Sequence, residues 1–217
     1  MTAALVFANG ELRTGPTVHR WLNLIDRPLV LAADGGAHIA AAYELRPDAI
    51  IGDMDSVAPA LLSELEGQGM QIIRHPPEKD ETDLELALKE AAARDCDPII
   101  IIGGTGGRLD QSLANVYLLA LPELAGRTVR MVAGYEEVLL LRPGSHTLHG
   151  NPGDTVSLLP VGGPAYGVRT SGLAYPLRSE TLEFGPARGI SNEMLADSAH
   201  ISLEHGWLLV IHTDGKA

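Results

Sequence analysis

Two aspartates one residue apart, Asp53-Met54-Asp55, follow an apolar run. Paired carboxylates suit Mg²⁺, which prefers oxygen donors and shares its coordination shell with substrate phosphates. In an extended segment alternate side chains point the same way, so both could serve one ion. Taken alone, the pair reads as a solvated turn. Downstream, Lys79-Asp80-Glu81-Thr82-Asp83 sets two more aspartates around Thr82 at a helix start, where their simpler role is capping and the helix dipole. Lys79 is one of only three lysines; in an acidic patch it is a neutralising partner or a phosphate contact. The third candidate is Gly103-Gly104-Thr105-Gly106-Gly107-Arg108-Leu109-Asp110. It lacks the Gly-Lys-Ser/Thr ending of a P-loop, and it is not the dinucleotide-binding Gly-x-Gly-x-x-Gly. An anion site still suits it. Glycines let backbone N–H groups approach phosphate oxygens, a helix follows at once, and Arg108 can fork onto a phosphate.

These residues need elements to carry them. Residues 3–8, 29–33, 49–51, 71–73, 99–102 and 128–133 are short apolar runs without alternation, the pattern of strands buried on both faces of a parallel sheet. Helices are expected near 17–25, 36–45, 58–67, 83–94 and 111–120; Thr82 and Glu85 have the spacing of a capping box. Repeated strand–helix units predict a doubly wound, mostly parallel α/β domain over residues 1–134. Ligands of such sheets bind beyond the strands' carboxyl ends. There this sequence places Asp34-Gly35-Gly36, Gly52-Asp53-Met54-Asp55-Ser56, His75 to Asp83, and the glycine-rich loop. Their convergence on one rim outweighs any single motif.

After residue 134 the texture changes. Gly and Pro punctuate strand-like segments at 136–141, 154–160, 166–170, 180–184, 198–203 and 207–212, which predicts an antiparallel β-sandwich over 135–217. Its loops at 170–177 and 189–193 carry Tyr175, Ser191 and Asn192. His146-x-x-His149 lies among turn signals and reads as structural. The net charge of −12 argues against nucleic acid, and residues 1–125 alone hold 19 acids against nine bases. No apolar run reaches the roughly 18–20 residues that span a bilayer. The single cysteine, Cys96, excludes a disulfide framework and reads as a half-buried filler at a helix end. A cytoplasmic protein is expected.

In their order, Ala33-Asp34-Gly35-Gly36, Gly52 to Ser56, Lys79 to Asp83, Gly103 to Asp110, Gly172-Leu173-Ala174-Tyr175-Pro176-Leu177 and Ser191-Asn192 resemble the thiamine pyrophosphokinases over most of the chain. The resemblance implies an α/β nucleotide-binding catalytic domain followed by a thiamine-binding and dimerisation sandwich. It implies a homodimer that binds ATP on the rim and thiamine where the partner's sandwich meets it. The reaction implied is Mg²⁺-dependent transfer of the ATP diphosphoryl group to the thiamine hydroxyl, releasing AMP. By position, Asp53, Asp55, Asp80 and Asp83 would hold Mg²⁺, and Arg108 and Asp110 would complete the catalytic set. Asp34, Gly35, Ser56, Lys79, Thr82, Gly104, Gly106, Gly107, Arg108 and Gln111 would contact ATP. Tyr175, Ser191 and Asn192 would contact thiamine. Gln111 stands where many bacterial members carry histidine, although glutamine also occurs in some relatives. Two other readings use the same rim: a metal-dependent nucleotide or sugar-phosphate phosphohydrolase, and a non-catalytic ATP-sensing module.

Overall fold

The apolar runs of the first half become β1 (Ala4–Phe7), β2 (Leu29–Ala33), β3 (Ala49–Gly52), β4 (Gln71–Arg74), β5 (Ile99–Ile102) and β6 (Val129–Ala133). The computed structural model describes residues 1–55, 66–67 and 69–216. It falls into two units, Met1–Gly134 and Tyr135–Ala217. In the first, the strands lie in the order β6-β5-β1-β2-β3-β4, and every neighbouring pair is parallel. Every residue of β1, β3 and β5 is buried because helices cover both faces. Helices α1 (Pro16–Leu24) and α2 (Gly36–Ala42) contribute Val18, Trp21 and Ile39 to a core with Leu5, Phe7, Val30, Ile100 and Ile102. Helix α3 (Asp83–Ala93) buries Leu84, Ala87, Leu88 and Ala91 and packs on β1, β2 and β3. Its start follows the sequence signal, since Thr82 Oγ1 accepts the Glu85 N–H at 3.2 Å.

Strands β2 to β4 extend the sheet on one side of β1, and β5 and β6 on the other. The topological switch point, where such sheets bind ligands, therefore lies between β1 and β5. Backbone bonds tie the two loops there: the Gly10 N–H donates to Gly103 O and the Glu11 N–H to Thr105 O, both at 2.9 Å. Helix α4 (Leu109–Tyr117) follows the glycine-rich loop. It starts two residues earlier than expected, and its expected last turn is a separate 3-10 helix, Leu118–Ala120.

The second unit is the expected antiparallel sandwich. One layer runs β12 (Asn192–Glu193), β9 (Thr155–Pro160), β14 (Leu208–Thr213), β7 (Glu136–Leu141). The other runs β11 (Arg178–Leu182), β10 (Ala165–Ser171), β13 (Ser198–Leu203), β8 (Gly144–His149). Leu139, Val156, Leu158 and Val210 of the first layer share a core with Leu148, Val168, Leu182 and Ile201 of the second.

Several expectations need correction. Strands β8 and β12 were not foreseen. Only Leu148 of β8 is buried, so its polar residues hide the alternation, and His146 and His149 are strand residues paired with Ile201 and Ser198. Cys96 is fully buried rather than half-buried, and that burial pushes its thiol pKa up. The helix expected at 58–67 lies largely outside the described residues, and Ser56 lies outside them altogether.

Candidate active site

Asp34, Asp53 and Asp83 each offer a carboxylate oxygen within 4.8 Å of the others. Three strand ends bring them together. Asp34 follows β2 with a left-handed backbone (φ 43°), a conformation short polar residues tolerate best. Asp53 follows β3, and Asp83 opens α3 after the β4 loop. Gly52 makes the approach possible. Its φ is 153°, and a Cβ there would lie 3.0 Å from the Asp83 carboxyl and 3.1 Å from Asp34 Cβ.

Lys79 is the counter-ion, with Nζ 2.9 Å from Asp83 Oδ1 and 3.7 Å from Asp53 Oδ2. Burial pulls the lysine pKa down, but the bonds and charges of Asp83 and Asp53 outweigh it and hold the pKa above normal. Asp83 is also shifted up, first by burial and then by Asp53 and Asp34, against the opposing pull of Lys79. Both shifts are upward, which favours the charged form of Lys79 and the neutral form of Asp83. Both are consistent with a cluster in which one cation faces three acids. At an effective dielectric near 20, two charges 4.8 Å apart interact by about 3 kcal/mol. One lysine therefore leaves the cluster short of positive charge. Asp34 Oδ1 is buried without a hydrogen-bond partner among the described residues, a costly arrangement that a cation would relieve.

The cluster forms one wall of a cavity of about 730 Å³. Gly104, Gly106, Gly107 and Arg108 of the glycine-rich loop line the same cavity. Helix α4 holds that loop: Asn115 Nδ2 donates to Gly104 O at 2.8 Å, and the Gly106 N–H donates to Ser112 Oγ at 3.1 Å. The Ser112 hydroxyl then donates to Arg108 O at 3.1 Å. Arg108 is 72% exposed and forks onto Asp110, with Nε 3.1 Å from Oδ1 and Nη2 2.5 Å from Oδ2. The fork holds the Asp110 carboxyl below its usual range. So exposed a pair contributes little stability, and the guanidinium is free to exchange onto a phosphate.

The expected residues fare differently. Asp34, Asp53, Asp55, Lys79, Thr82, Gly104, Gly106, Gly107, Arg108 and Gln111 all line the cavity. Gly35, Asp80 and Asp110 adjoin lining residues without lining it themselves, and Asp80 is exposed. The segment 53–55 is not extended. Met54 has φ 66° with its side chain in the core, and the Asp55 N–H turns back to Asp53 Oδ1 at 3.2 Å. Asp34, not Asp55, therefore joins Asp53 and Asp83. Sequence reading passed over Asn9 and Gly10 after β1, and Ser112 and Asn115 on α4, which also line the cavity. The Asn-Gly pair ending a buried run was a signal for the first two. The four- and three-residue steps from Arg108 to Ser112 to Asn115 were one for the others.

In the second unit Tyr175 is 73% exposed. Asn192 grips its backbone: Oδ1 accepts the Tyr175 N–H at 3.0 Å, and Nδ2 donates to Tyr175 O at 2.8 Å. Ser191 has φ 57°, and its N–H donates to Ser157 Oγ at 3.1 Å.

A doubly wound unit whose cavity is lined by an acid cluster and a glycine-rich loop, followed by an antiparallel sandwich, is the architecture of a protein that handles phosphates beside a metal ion. Residues 22–131 match the thiamin pyrophosphokinase catalytic domain, and residues 145–208 match the vitamin B1 binding domain of the same family. A thiamine pyrophosphokinase from Bacillus subtilis is 27% identical over 89% of this chain and 86% of its own. A crystal structure of thiamine pyrophosphokinase from Bacillus subtilis superposes with a TM-score of 0.85 at 25% identity, covering 99% of both chains. A thiamin pyrophosphokinase family protein from Enterococcus faecalis gives 0.84 at 26% identity, over 99% of this chain and 100% of that one. The chain belongs to the thiamin pyrophosphokinase family, and it is an enzyme of thiamine diphosphate formation.

Proposed function

We propose that the enzyme transfers the diphosphoryl group of ATP to the hydroxyl of thiamine, releasing AMP, with Mg²⁺ as its metal. One observation carries this reading: a carboxylate cluster short of positive charge and a glycine-rich loop line one cavity. The donor set fits Mg²⁺, being all oxygen with the Asp34 oxygen buried and unpartnered among the described residues. Asp53, Asp83 and Asp34 would hold the ion, with Asp55 on the same wall. Asp80 would contribute only its charge near the start of α3. When bound, the metal supplies charge neutralisation for the phosphates and withdraws electron density from the transferring group.

The chain's own residues do the positioning. Backbone N–H groups of the glycine-rich loop and Lys79 orient the phosphates. Arg108 leaves Asp110 to take up charge on the transferring group. The hydroxyl oxygen of thiamine attacks the β-phosphorus and gives up its proton to solvent, the bond from that phosphorus to the α–β bridging oxygen breaks, and AMP departs. Such catalysis is mostly alignment and charge stabilisation.

Tyr175 would stack on the cationic rings of thiamine, with Ser191 and Asn192 beside it. The enzyme is read as a cytoplasmic homodimer in which one subunit's sandwich completes its partner's rim. Support comes from exposed apolar side chains in both units: Leu109, Leu113 and Tyr117 four residues apart on α4, and Tyr175, Phe184, Ile190 and Leu195 in the sandwich. No described helix is long and apolar enough to cross a membrane.

The test is incubation with ATP, Mg²⁺ and thiamine, with product analysis. Thiamine diphosphate and AMP in equal amounts are expected. ADP in place of AMP, or AMP formed without thiamine, would overturn the reading. The shared site is tested by reassorting two inactive variants, Asp83→Ala and Tyr175→Ala/Ser191→Ala. About half the dimers would be mixed, each with one intact site, so roughly a quarter of wild-type activity should return. No recovery after proven subunit exchange would mean that each site lies within one chain.

A further inference from the structure

The second unit contains a buried ionic cluster that the rim chemistry does not use. His212 on β14 is fully buried, as are Glu137 on β7 and Asp154 ahead of β9. Its Nδ1 is 3.1 Å from Glu137 Oε1, and its Nε2 is 2.9 Å from Asp154 Oδ2. Both nitrogens can donate only when the ring is an imidazolium. Among the described residues a third carboxylate, Asp214 just past β14, brings an oxygen within 4.8 Å of His212 and Asp154. Met194, directly after β12, is fully buried. Burial pulls the His212 pKa down, but the bonds and charges of Glu137 and Asp154 outweigh it and raise it.

Asp154 passes this anchorage outward. Its Oδ2 also accepts the Asn151 N–H and its Oδ1 the Gly215 N–H, both at 2.7 Å. Its backbone oxygen accepts the Met194 N–H at 2.9 Å, and the Gly153 N–H donates to Met194 O at 2.8 Å. Gly150 closes the contact: a Cβ there would lie 2.7 Å from Asp154 Oδ2, 2.7 Å from His212 Nε2 and 2.8 Å from Met194 Sδ. Met194 directly follows β12, whose Asn192 grips the Tyr175 backbone. Two more bonds join the same segments: the Ala174 N–H donates to Glu193 O and the Leu195 N–H to Gly172 O, both at 2.9 Å. The 191–195 segment is thus held on one side by the 150–154 loop, and on its other side it holds the loop that carries Tyr175.

We propose that His212, as a buried cation clamped between Glu137 and Asp154, is a positioning residue for the Tyr175 loop and so sets affinity for the cationic substrate. The proposal rests on the reading that Tyr175 contacts thiamine. A neutral imidazole donates from one nitrogen only, so one carboxylate would face a lone pair. The 150–154 loop would then shift and Tyr175 would lose its fixed place. His212 acts through Asp154 and Met194, not on the substrate.

The experiment is steady-state kinetics on the full chain, with KM for thiamine and for ATP measured across neutral and alkaline pH. For the wild type, KM for thiamine should rise on an alkaline limb that KM for ATP does not follow. Glu137→Gln removes one stabilising charge and should move that limb to lower pH by about one unit. Comparing the two enzymes cancels changes in thiamine itself at high pH. His212→Gln should raise KM for thiamine about fivefold to tenfold at neutral pH, as expected for losing one hydrogen bond, and should abolish the limb. Tyr175→Ala separates the two readings. If it leaves KM for thiamine unchanged, the thiamine subsite is wrong. If it raises KM for thiamine while Glu137→Gln leaves the limb in place, the role of His212 is wrong. Should His212→Gln fail to fold, the wild-type and Glu137→Gln profiles still decide.

Discussion

Each unit holds one compact group of carboxylates around a single cation, and the two are built to opposite ends. On the rim, Asp53 and Asp83 share Lys79, Asp34 joins them with its Oδ1 buried and without a partner among the described residues, and all three open onto a cavity. In the sandwich, Glu137 and Asp154 close on both nitrogens of His212, and Asp154 takes backbone N–H bonds on both oxygens. Their titration differs accordingly. Burial, Asp53 and Asp34 push the Asp83 pKa up. Burial also acts against Asp154, but the Gly215 and Asn151 N–H bonds and His212 outweigh it and lower the pKa. An acid cluster short of partners beside open volume is poised for a ligand. One that is fully bonded and closed holds its own surroundings in place.

The comparison breaks first at the sandwich. His212→Leu would strand two buried carboxylates, and removing one partner of a buried ionic group costs about 3–5 kcal/mol. Urea unfolding followed by Trp207 fluorescence should show a loss of that size. A stability equal to wild type would mean the cluster anchors nothing. On the rim the reverse is expected. Asp83→Asn should lower turnover by ~10²-fold or more, because it removes charge from a phosphoryl-transfer site. Its melting temperature in chelator should hold or rise as like-charge repulsion is relieved. A folded Asp83→Asn enzyme with unchanged turnover would erase the distinction between the clusters.

A smaller effect sharpens the rim side. Asn115→Ala removes one bond to the glycine-rich loop, worth about 1 kcal/mol, so KM for ATP should rise roughly fivefold. KM for thiamine should stay put, and an equal rise in both constants would count against a role confined to the phosphate loop.

The gentlest test is pH. His212 has a raised folded pKa, so its contribution is complete below its unfolded value of about 6.5 and is lost as pH rises through the folded value. Asp154 has a lowered folded pKa, so its contribution is complete above about 3.9 and is lost as pH falls through the folded value. Calorimetry should therefore find the sandwich most stable between about pH 4 and 6.5. Asp83 has the opposite sign: its folded pKa is raised, so ionising it costs stability as pH climbs above the ordinary carboxylate range. A sandwich transition indifferent to pH on both sides of that window would show that the cluster is not ionised as described.

Much of the molecule was legible because its signals are local. Ile99 to Ile102 read as a doubly covered strand because four adjacent residues are apolar, and Thr82 read as a cap because its partner lies three residues on. Gly103 to Gly107 read as a tight strand-to-helix loop because the glycines lie between the apolar run and the next helix, and that is where they stand. What failed depended on distant pairing. Asp55 left the cluster because Met54 turns left-handed to bury its side chain, and a packing partner cannot be seen in a two-residue spacing. Asp34 joined because β2 lies beside β3, with bare Gly52 between the carboxylates. The turn after β1 meets the glycine-rich loop because β1 neighbours β5, an order no local pattern encodes. Glu137 and His212 are 75 residues apart and meet because β7 pairs with β14 in that register. By itself, then, the sequence determined the two architectures and the chemical kinds of group at the strand ends, since propensity and periodicity act over a few residues. Only the tertiary structure decided which carboxylates share a cation and which of them face open space, because that depends on strand order and register across the whole chain.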